Sequence, residues 1–243
     1  MADQATVDQW LGEFLQRLRK TFGGRLVFVG HHGSWARGDA TPDSDIDTMV
    51  VLDHIASSDL AAYRAVIDAM PDGGRDASGL LNSVAEMRAL PRSGLTQYFY
   101  GCQVLHGAID GIVERPTADD LLADILIMAS DNLTSARHYL LFPHDLSAKV
   151  HGLRYLFKRC LHALQEWLLV RQGEFLARKD QLLEALTDED DRAVVAVVRD
   201  WPQTEADRTA RPRHYIELLE RWSRGMLARV QECRPGSRDL VDS

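Results

Sequence analysis

The sequence predicts an α+β protein, with strands and helices in its first half and only helices in its second. Up to about residue 114, short apolar runs alternate with stretches rich in glycine, proline and aspartate, which is typical of strands joined by turns and helices. Beyond that point, apolar residues recur at spacings of three and four, which is typical of amphipathic helices that pack into a bundle. The run Glu114-Arg115-Pro116-Thr117 marks the change. It predicts two domains, residues 1–115 and residues 116–243.

The first domain is predicted to be built from apolar runs bounded by turn residues. Its predicted elements are a helix over residues 5–22, strands at Leu26–Val29 and Met49–Leu52, a helix over residues 60–70, a third strand at Leu80–Val84, and an aromatic-rich segment at 94–107. In that last segment Tyr98 and Tyr100 are candidates to stack on a base or an acceptor ring, although packing against the sheet is their commoner role. His31 and His32 follow the first strand. They could contact a nucleotide, although solvated loop residues are the commoner outcome and the one expected here.

Two aspartates stand at the head of the second strand. Asp45 and Asp47 flank Ile46, and because alternate side chains of a strand share a face, the two carboxylates are expected to point the same way. Two carboxylates aimed at one point repel each other unless a cation lies between them. Oxygen ligands of this kind suit Mg²⁺, which usually takes one or two carboxylates together with substrate phosphates and water. The alternative is that the two aspartates only cap a loop.

A glycine and a serine between the two strands are predicted to hold phosphate. Gly33 lets the backbone approach a ligand closely, and exposed amides with the Ser34 hydroxyl can bind phosphate oxygens. Arg37 is expected to support this loop, and Ser44, just before Asp45, is included among the predicted nucleotide-binding residues.

Gly33-Ser34, ten residues, and then Asp45-Ile46-Asp47 resembles the signature of the DNA polymerase β-type nucleotidyltransferase superfamily. The fuller form, GSWARG followed by DSDID, is similar to its small prokaryotic branch. That branch includes the aminoglycoside nucleotidyltransferases and the minimal nucleotidyltransferases paired with helical HEPN-type domains. The resemblance implies a mixed sheet followed by a helical bundle, Mg²⁺ as the cofactor, ATP as the expected nucleotide, and a small-molecule or protein acceptor.

The resemblance also implies a third acidic residue on the third strand, where this sequence reads Leu81-Asn82-Ser83. Asp76 just before the strand and Glu86 just after it are the nearby alternatives. If neither serves, the general base is expected from the helical domain, as in the kanamycin enzyme that this arrangement resembles. Asp131, midway along the first helix of that domain, is the predicted base, although a solvated aspartate is the commoner outcome for such a residue.

The second domain is predicted to consist of helices over residues 119–142, 148–172, 179–186, 193–201 and 212–233, followed by a frayed tail. One face of its second helix carries a polar stripe made of His151, Arg154, Lys158, His162 and Gln165. Lys158 is the best single candidate for a triphosphate ligand, and the alternative is a solvated helix face. An Arg137–His144 pair resembles the ribonuclease motif of HEPN domains, but Pro143 breaks the helix between them, so ribonuclease activity is not expected.

The composition of the chain restricts the classes of partner and the cellular location that are expected. The formal net charge of −8 argues against a bulk nucleic-acid binder, which needs a basic face, and it fits a cationic acceptor such as an aminoglycoside. Three widely spaced cysteines predict reduced thiols and a cytoplasmic location. No apolar run reaches membrane-spanning length. The resemblance to aminoglycoside enzymes adds a homodimer as one expected arrangement.

Two functional hypotheses follow. In the first, the protein is an enzyme that transfers a nucleoside monophosphate from a nucleoside triphosphate to an acceptor hydroxyl and releases pyrophosphate, which the intact Gly-Ser and Asp-Ile-Asp pattern favours. In the second, it is a degenerate nucleotide-binding protein of the antitoxin type that acts through a protein partner, which the missing third acid favours.

Overall fold

The computed structural model describes residues 3–41, 44–144 and 146–233. The chain divides into two compact units, Met1–Pro116 and Thr117–Ser243. The first contains a sheet with helices, and the described part of the second contains helices alone. This confirms the predicted α+β fold class.

The first unit is built on a four-stranded mixed sheet with the order β3-β2-β1-β4. Strand β1 pairs antiparallel with both β2 and β4, whereas β2 and β3 run parallel. The strands are β1 at Leu26–His32, β2 at Ile46–Leu52, β3 at Ala77–Ser83 and β4 at Gln103–His106. The helices are α1 at Gln4–Phe22, α2 at Gly33–Arg37, α3 at Ser57–Asp68, α4 at Val84–Ala89 and α5 at Thr96–Tyr100.

Helix α1 covers one face of the sheet. It begins where the Asp3 carboxylate accepts a hydrogen bond from the backbone N–H of Thr6 at 2.8 Å, which satisfies one of the donors left open at a helix start. It ends at Gly23, which has a φ of 55°. Its apolar stripe packs with α3 and with the residues of β1 and β2 that face it, among them Val29, Ile46 and Val50.

The other face of the sheet has its own core. Phe28, Met49 and Val51 pack there against Met87 of α4 and Leu95. Neighbouring residues of β2 therefore alternate between two buried environments, so that Ile46 and Val50 lie on the α1 side whereas Met49 and Val51 lie on the opposite side. This alternation determines the direction in which Asp47 projects.

The strands extend beyond the apolar runs that predicted them. Strand β1 continues through His31, which is fully buried, so the expectation that it is a solvated loop residue is wrong. Strand β2 begins at Ile46 and β3 at Ala77, three residues earlier than predicted in each case. Backbone pairing between β2 and β3 holds the added residues in the sheet, with Asp47 opposite Ser78 and Thr48 opposite Gly79. The apolar pattern that predicted the strands contains no signal of this pairing.

The second unit consists of helices around one apolar core. They are α6 at Ala118–Leu141, α7 at Leu146–Gln172, α8 at Lys179–Ala185, α9 at Glu189–Arg199, α10 at Glu205–Ala210 and α11 at Pro212–Cys233. Thr117 and Asp120 start α6 by a reciprocal pair of side-chain to backbone hydrogen bonds. The short helix α10 was not predicted, and the predicted tail from residue 234 lies outside the described residues.

A buried ion pair ties α9 to α11. The Asp191 side chain is 3% exposed and accepts hydrogen bonds from both terminal nitrogens of Arg229, at 2.6 and 2.7 Å. Its Oδ1 also accepts from Nε1 of Trp222 at 2.8 Å. The neighbouring Asp190 pairs with Arg221 at 3.0 Å, and both of those side chains are more than one third exposed.

Two general features accompany this fold. None of the described helices is long and apolar enough to cross a membrane. Cys102, Cys160 and Cys233 are free thiols.

The Asp190 and Asp191 pairs predict a sharp contrast in stability. Asp191→Asn leaves the largely buried Arg229 without its counter-charge and is expected to cost about 3 kcal/mol. Asp190→Asn removes a solvent-screened pair and should cost less than about 1 kcal/mol. Urea unfolding followed by tryptophan fluorescence measures both, since Trp222 reports on the helical core. Equal losses in the two variants would contradict a stabilising role for the buried pair.

Candidate active site

The candidate site lies where β2 begins. Ile46 is buried on the α1 side, whereas Asp47 projects to the opposite face and is partly buried, and Asp45 directly precedes the strand and is exposed. Asp47 is paired across the sheet with His32 of β1 on one side and with Ser78 of β3 on the other.

Gly33 is in direct contact with Asp47. It has a φ of +79°, and a Cβ atom at this position would lie 2.0 Å from Oδ2 of Asp47. Both the backbone conformation and the space therefore require glycine. The sequence predicted a glycine that admits a ligand, and the structure adds that the nearest group is the Asp47 carboxylate.

The segment after Gly33 is a short helix, α2, and not the simple turn that was predicted. Gly38 ends it with a φ of +74°, and the backbone N–H of Asp39 donates to the carbonyl of Ser34 at 2.9 Å. Ser34 lies in its first turn and is partly buried.

Ser44 closes the loop that leads to Asp45. Its carbonyl accepts from Nε1 of Trp35 at 3.1 Å, and its hydroxyl accepts from the backbone N–H of Thr41 at 2.8 Å. The structure therefore shows Ser44 bracing the loop that carries Asp45. Its predicted contact with nucleotide stays a prediction.

Arg37 of α2 lies close enough to Asp47 for their charges to interact. Burial lowers the pKa of its guanidinium, and the charges of Asp39 and Asp47 oppose that shift. Its Nε is buried and has no hydrogen-bond partner. A partly desolvated guanidinium beside two carboxylates is suited to an anionic group, because an anion restores the interactions that burial removed.

Two ring side chains, His32 and Tyr98, contact each other near Asp47. His32 meets Tyr98 edge to face, with ring centroids 5.1 Å apart. Burial lowers the pKa of His32, opposed by Asp47, and burial raises the pKa of Tyr98. Burial also lowers the pKa of His31. Tyr100 instead contacts Arg115, whose guanidinium carbon lies over the Tyr100 ring at 5.5 Å from the ring centroid.

The third strand supplies no acid. The register places Ser78, which is exposed, beside Asp47. Glu86 is engaged at the start of α4, where its carboxylate accepts from the N–H and hydroxyl of Ser83 at 2.6 and 2.8 Å, and these bonds lower its pKa. Asp76 precedes β3, its carbonyl accepts from the N–H of Ile46 at 2.7 Å, and its carboxylate pairs with Arg75 at 3.5 Å.

The remaining predicted residues lie in the helical unit. Asp131 of α6 is exposed and pairs with Arg159 of α7 at 3.3 Å, and the Lys158 side chain is exposed. Their predicted roles stay predictions. The expected polar stripe is interrupted, because Gln165 is buried and its amide donates to the carbonyls of Leu176 and Ala177, each at 3.1 Å. The side chain of His151 lies outside the described residues.

Sequence reasoning missed one pair of acids in this unit. Asp124 of α6 and Glu166 of α7 share a side-chain hydrogen bond, and burial raises the pKa of Asp124. Glu166 is 2% exposed. The two residues stand 42 positions apart in the sequence, so no local pattern signals their contact.

Comparison with known proteins relates part of the first unit to a known family. Residues 11–73 match the family model for the nucleotidyltransferase domain. Over these residues the chain is similar to nucleotidyltransferase domains. The match runs from Leu11 within α1 through Gly33, Ser34 and both aspartates to Gly73 after α3, so it leaves out β3 and Tyr98.

Two known proteins extend the comparison. A Methanocaldococcus jannaschii protein, provisionally named as a protein adenylyltransferase, is 30% identical over 66 residues, which is 27% of this chain and 45% of the relative. The chain therefore spans less than half the length of that relative. A spectinomycin adenyltransferase from Enterococcus faecialis, solved with ATP and spectinomycin, is similar in fold. Its TM-score is 0.53 and its identity 14%, over 89% of this chain and 99% of that one.

The contact between Gly33 and Asp47 predicts different outcomes for two glycines of nearly equal φ. Gly33→Ala places its Cβ against the Asp47 carboxylate and should weaken nucleotide binding by about tenfold or more, which is about 1.4 kcal/mol. Gly38→Ala meets nothing within 4 Å, so it should cost only the strain of a left-handed backbone, about 1–2 kcal/mol of stability. Calorimetric titration with MgATP and thermal unfolding measure the two effects. Equal nucleotide affinities in the two variants would show that the Gly33–Asp47 contact is not required.

Proposed function

We propose that the protein is a nucleotidyltransferase that transfers the adenylyl group of ATP to an acceptor hydroxyl and releases pyrophosphate. The observation that carries the proposal is the Asp47 carboxylate held against the backbone of Gly33, with Arg37 beside it. In the reaction, a bond forms between the acceptor oxygen and the α-phosphorus. The bond from the α-phosphorus to the oxygen bridging the α- and β-phosphates breaks, and the acceptor proton passes to a base.

The donor set at the start of β2 fits Mg²⁺. Asp45 is exposed, Asp47 is partly exposed and lies directly against Gly33, and carboxylate oxygens are the ligands that Mg²⁺ prefers. Asp45 and Asp47 would hold the ion. When bound, Mg²⁺ would neutralise the charge that develops on the phosphate oxygens.

The residues of α2 and its loop have separate tasks in this proposal. The Ser34 hydroxyl and the backbone near Gly33 bind the terminal phosphates, and the Arg37 guanidinium opposes their charge. Ser44 keeps Asp45 in position through its bonds to Trp35 and Thr41. From the helical unit, Lys158 is proposed to contact the triphosphate.

Removal of the acceptor proton needs a general base, and neither β3 nor α4 of the first unit presents an available one. Ser78 carries no charge, and Glu86 is engaged by Ser83. Asp131 remains the proposed base. Its partner Arg159, 3.3 Å away, would orient the carboxylate towards the acceptor hydroxyl, whose proton a nearby carboxylate can take.

The acceptor class has two candidates, each suggested by a relative. One relative is named for transfer to protein and the other for transfer to spectinomycin. The net charge of −8 favours a cationic small molecule, since acidic surfaces attract amines. Three free thiols support a cytoplasmic location, where thiols stay reduced.

The second candidate function is nucleotide binding without transfer, with regulation through a protein partner. Ser78 beside Asp47 is the observation that favours it. Incubation with Mg²⁺ and α-³²P-labelled ATP distinguishes the two functions, with an aminocyclitol antibiotic and a cell-derived protein fraction as separate acceptors. Label transferred to either acceptor supports the enzyme and identifies the class. Tight binding with no transfer to either supports the regulatory function.

The aspartates give a direct test of the nucleotide site. Asp45→Asn and Asp47→Asn should each lower Mg²⁺-dependent nucleotide binding or transfer by about a hundredfold or more. Stability should hold or rise slightly, because one of two neighbouring negative charges is removed. Asp68→Asn on α3, which breaks only an exposed pair with Arg64, is the matched control. Unchanged MgATP affinity in an Asp45→Asn/Asp47→Asn double variant would exclude this site.

A further inference from the structure

The register between β2 and β3 determines what can lie beside Asp47. The two strands run parallel, with Asp47 opposite Ser78, Thr48 opposite Gly79 and Met49 opposite Leu80. Residues paired in this way project from the same face of the sheet. The side chain beside the Asp47 carboxylate is therefore the Ser78 hydroxyl, and no residue of β3 is acidic.

The other neighbours of Asp47 do not replace that acid. On the β1 side its partner is His32, whose side chain carries no carboxylate. At the head of β3, Asp76 faces solvent and pairs with Arg75. Within the described ranges, no three His, Cys, Asp or Glu side chains come close enough together to hold a metal ion.

We infer that the nucleotide site takes a single divalent cation, the one that accompanies the nucleotide phosphates, and that Ser78 is the residue that sets this number. The inference rests on the nucleotide site proposed at Asp45 and Asp47. Two divalent cations in one site lie about 3.5–4 Å apart and repel each other. The two aspartates and the phosphates supply oxygen ligands for one such ion, and the β3 position best placed to add a carboxylate ligand for a second holds a hydroxyl.

The cation count is a property of the site that can be measured without turnover. The experiment uses the full chain with a non-hydrolysable ATP analogue and Mn²⁺, and counts bound Mn²⁺ by electron paramagnetic resonance at increasing metal concentration. The wild type is expected to bind one Mn²⁺ for each bound nucleotide. Ser78→Asp should bind two, because the new carboxylate lies beside Asp47 on the same face. Ser78→Asn, of nearly the same size but without charge, should bind one.

Several outcomes overturn the inference. Two Mn²⁺ ions per nucleotide in the wild type would show that a second cation is held without an acid on β3. One Mn²⁺ in Ser78→Asp, with nucleotide affinity retained, would show that Ser78 does not set the number. A wild type that binds no nucleotide would instead contradict the proposed function, so the two failures are distinguishable. Ser78 is exposed on an edge strand, and circular dichroism confirms that each variant is folded.

Discussion

The contact between the Asp47 carboxylate and the backbone of Gly33 is the constraint on which the rest of the candidate site depends. It joins the start of β2 to the start of α2, two points that are 14 positions apart in the sequence. Any side chain at position 33 would move the carboxylate, and a moved carboxylate would no longer lie beside Arg37. The approach is close because Gly33 adopts a φ of +79°, which brings α2 back over the sheet immediately after β1 ends.

The parts of this site that could be predicted from sequence are those encoded within a short stretch. Ile46 between two aspartates predicts a strand with one apolar and one acidic side, and Ile46 is indeed buried. The start of the last long amphipathic helix could also be predicted, since α11 begins at Pro212 as expected. In both cases the periodicity of the side chains and the breaking residues lie within the element itself.

The parts that could not be predicted depend on partners far away in the chain. His31 reads as a solvated loop residue, yet pairing with Thr48 and Gln103 places it inside the sheet. Gln165 reads as part of a polar stripe, but the carbonyls of the loop after α7 take its amide. Ser78 is the most consequential case, because its place beside Asp47 follows from strand register and β3 has no clear apolar alternation of its own.

The residues proposed to bind the nucleotide lie close together in the sequence, whereas the residue proposed to activate the acceptor lies far from them. Residues 33–47 contain the proposed cation ligands, the proposed phosphate contacts and Arg37, so most of the proposed nucleotide site lies in one short segment. Activation of an acceptor hydroxyl requires a group from elsewhere, since β3 contributes Ser78 and α4 uses Glu86 as a cap. Under this proposal, nucleotide binding does not depend on the residue that accepts the proton. For this reason a test of binding alone does not distinguish the enzyme from the regulatory protein, whereas transfer of label to an acceptor does.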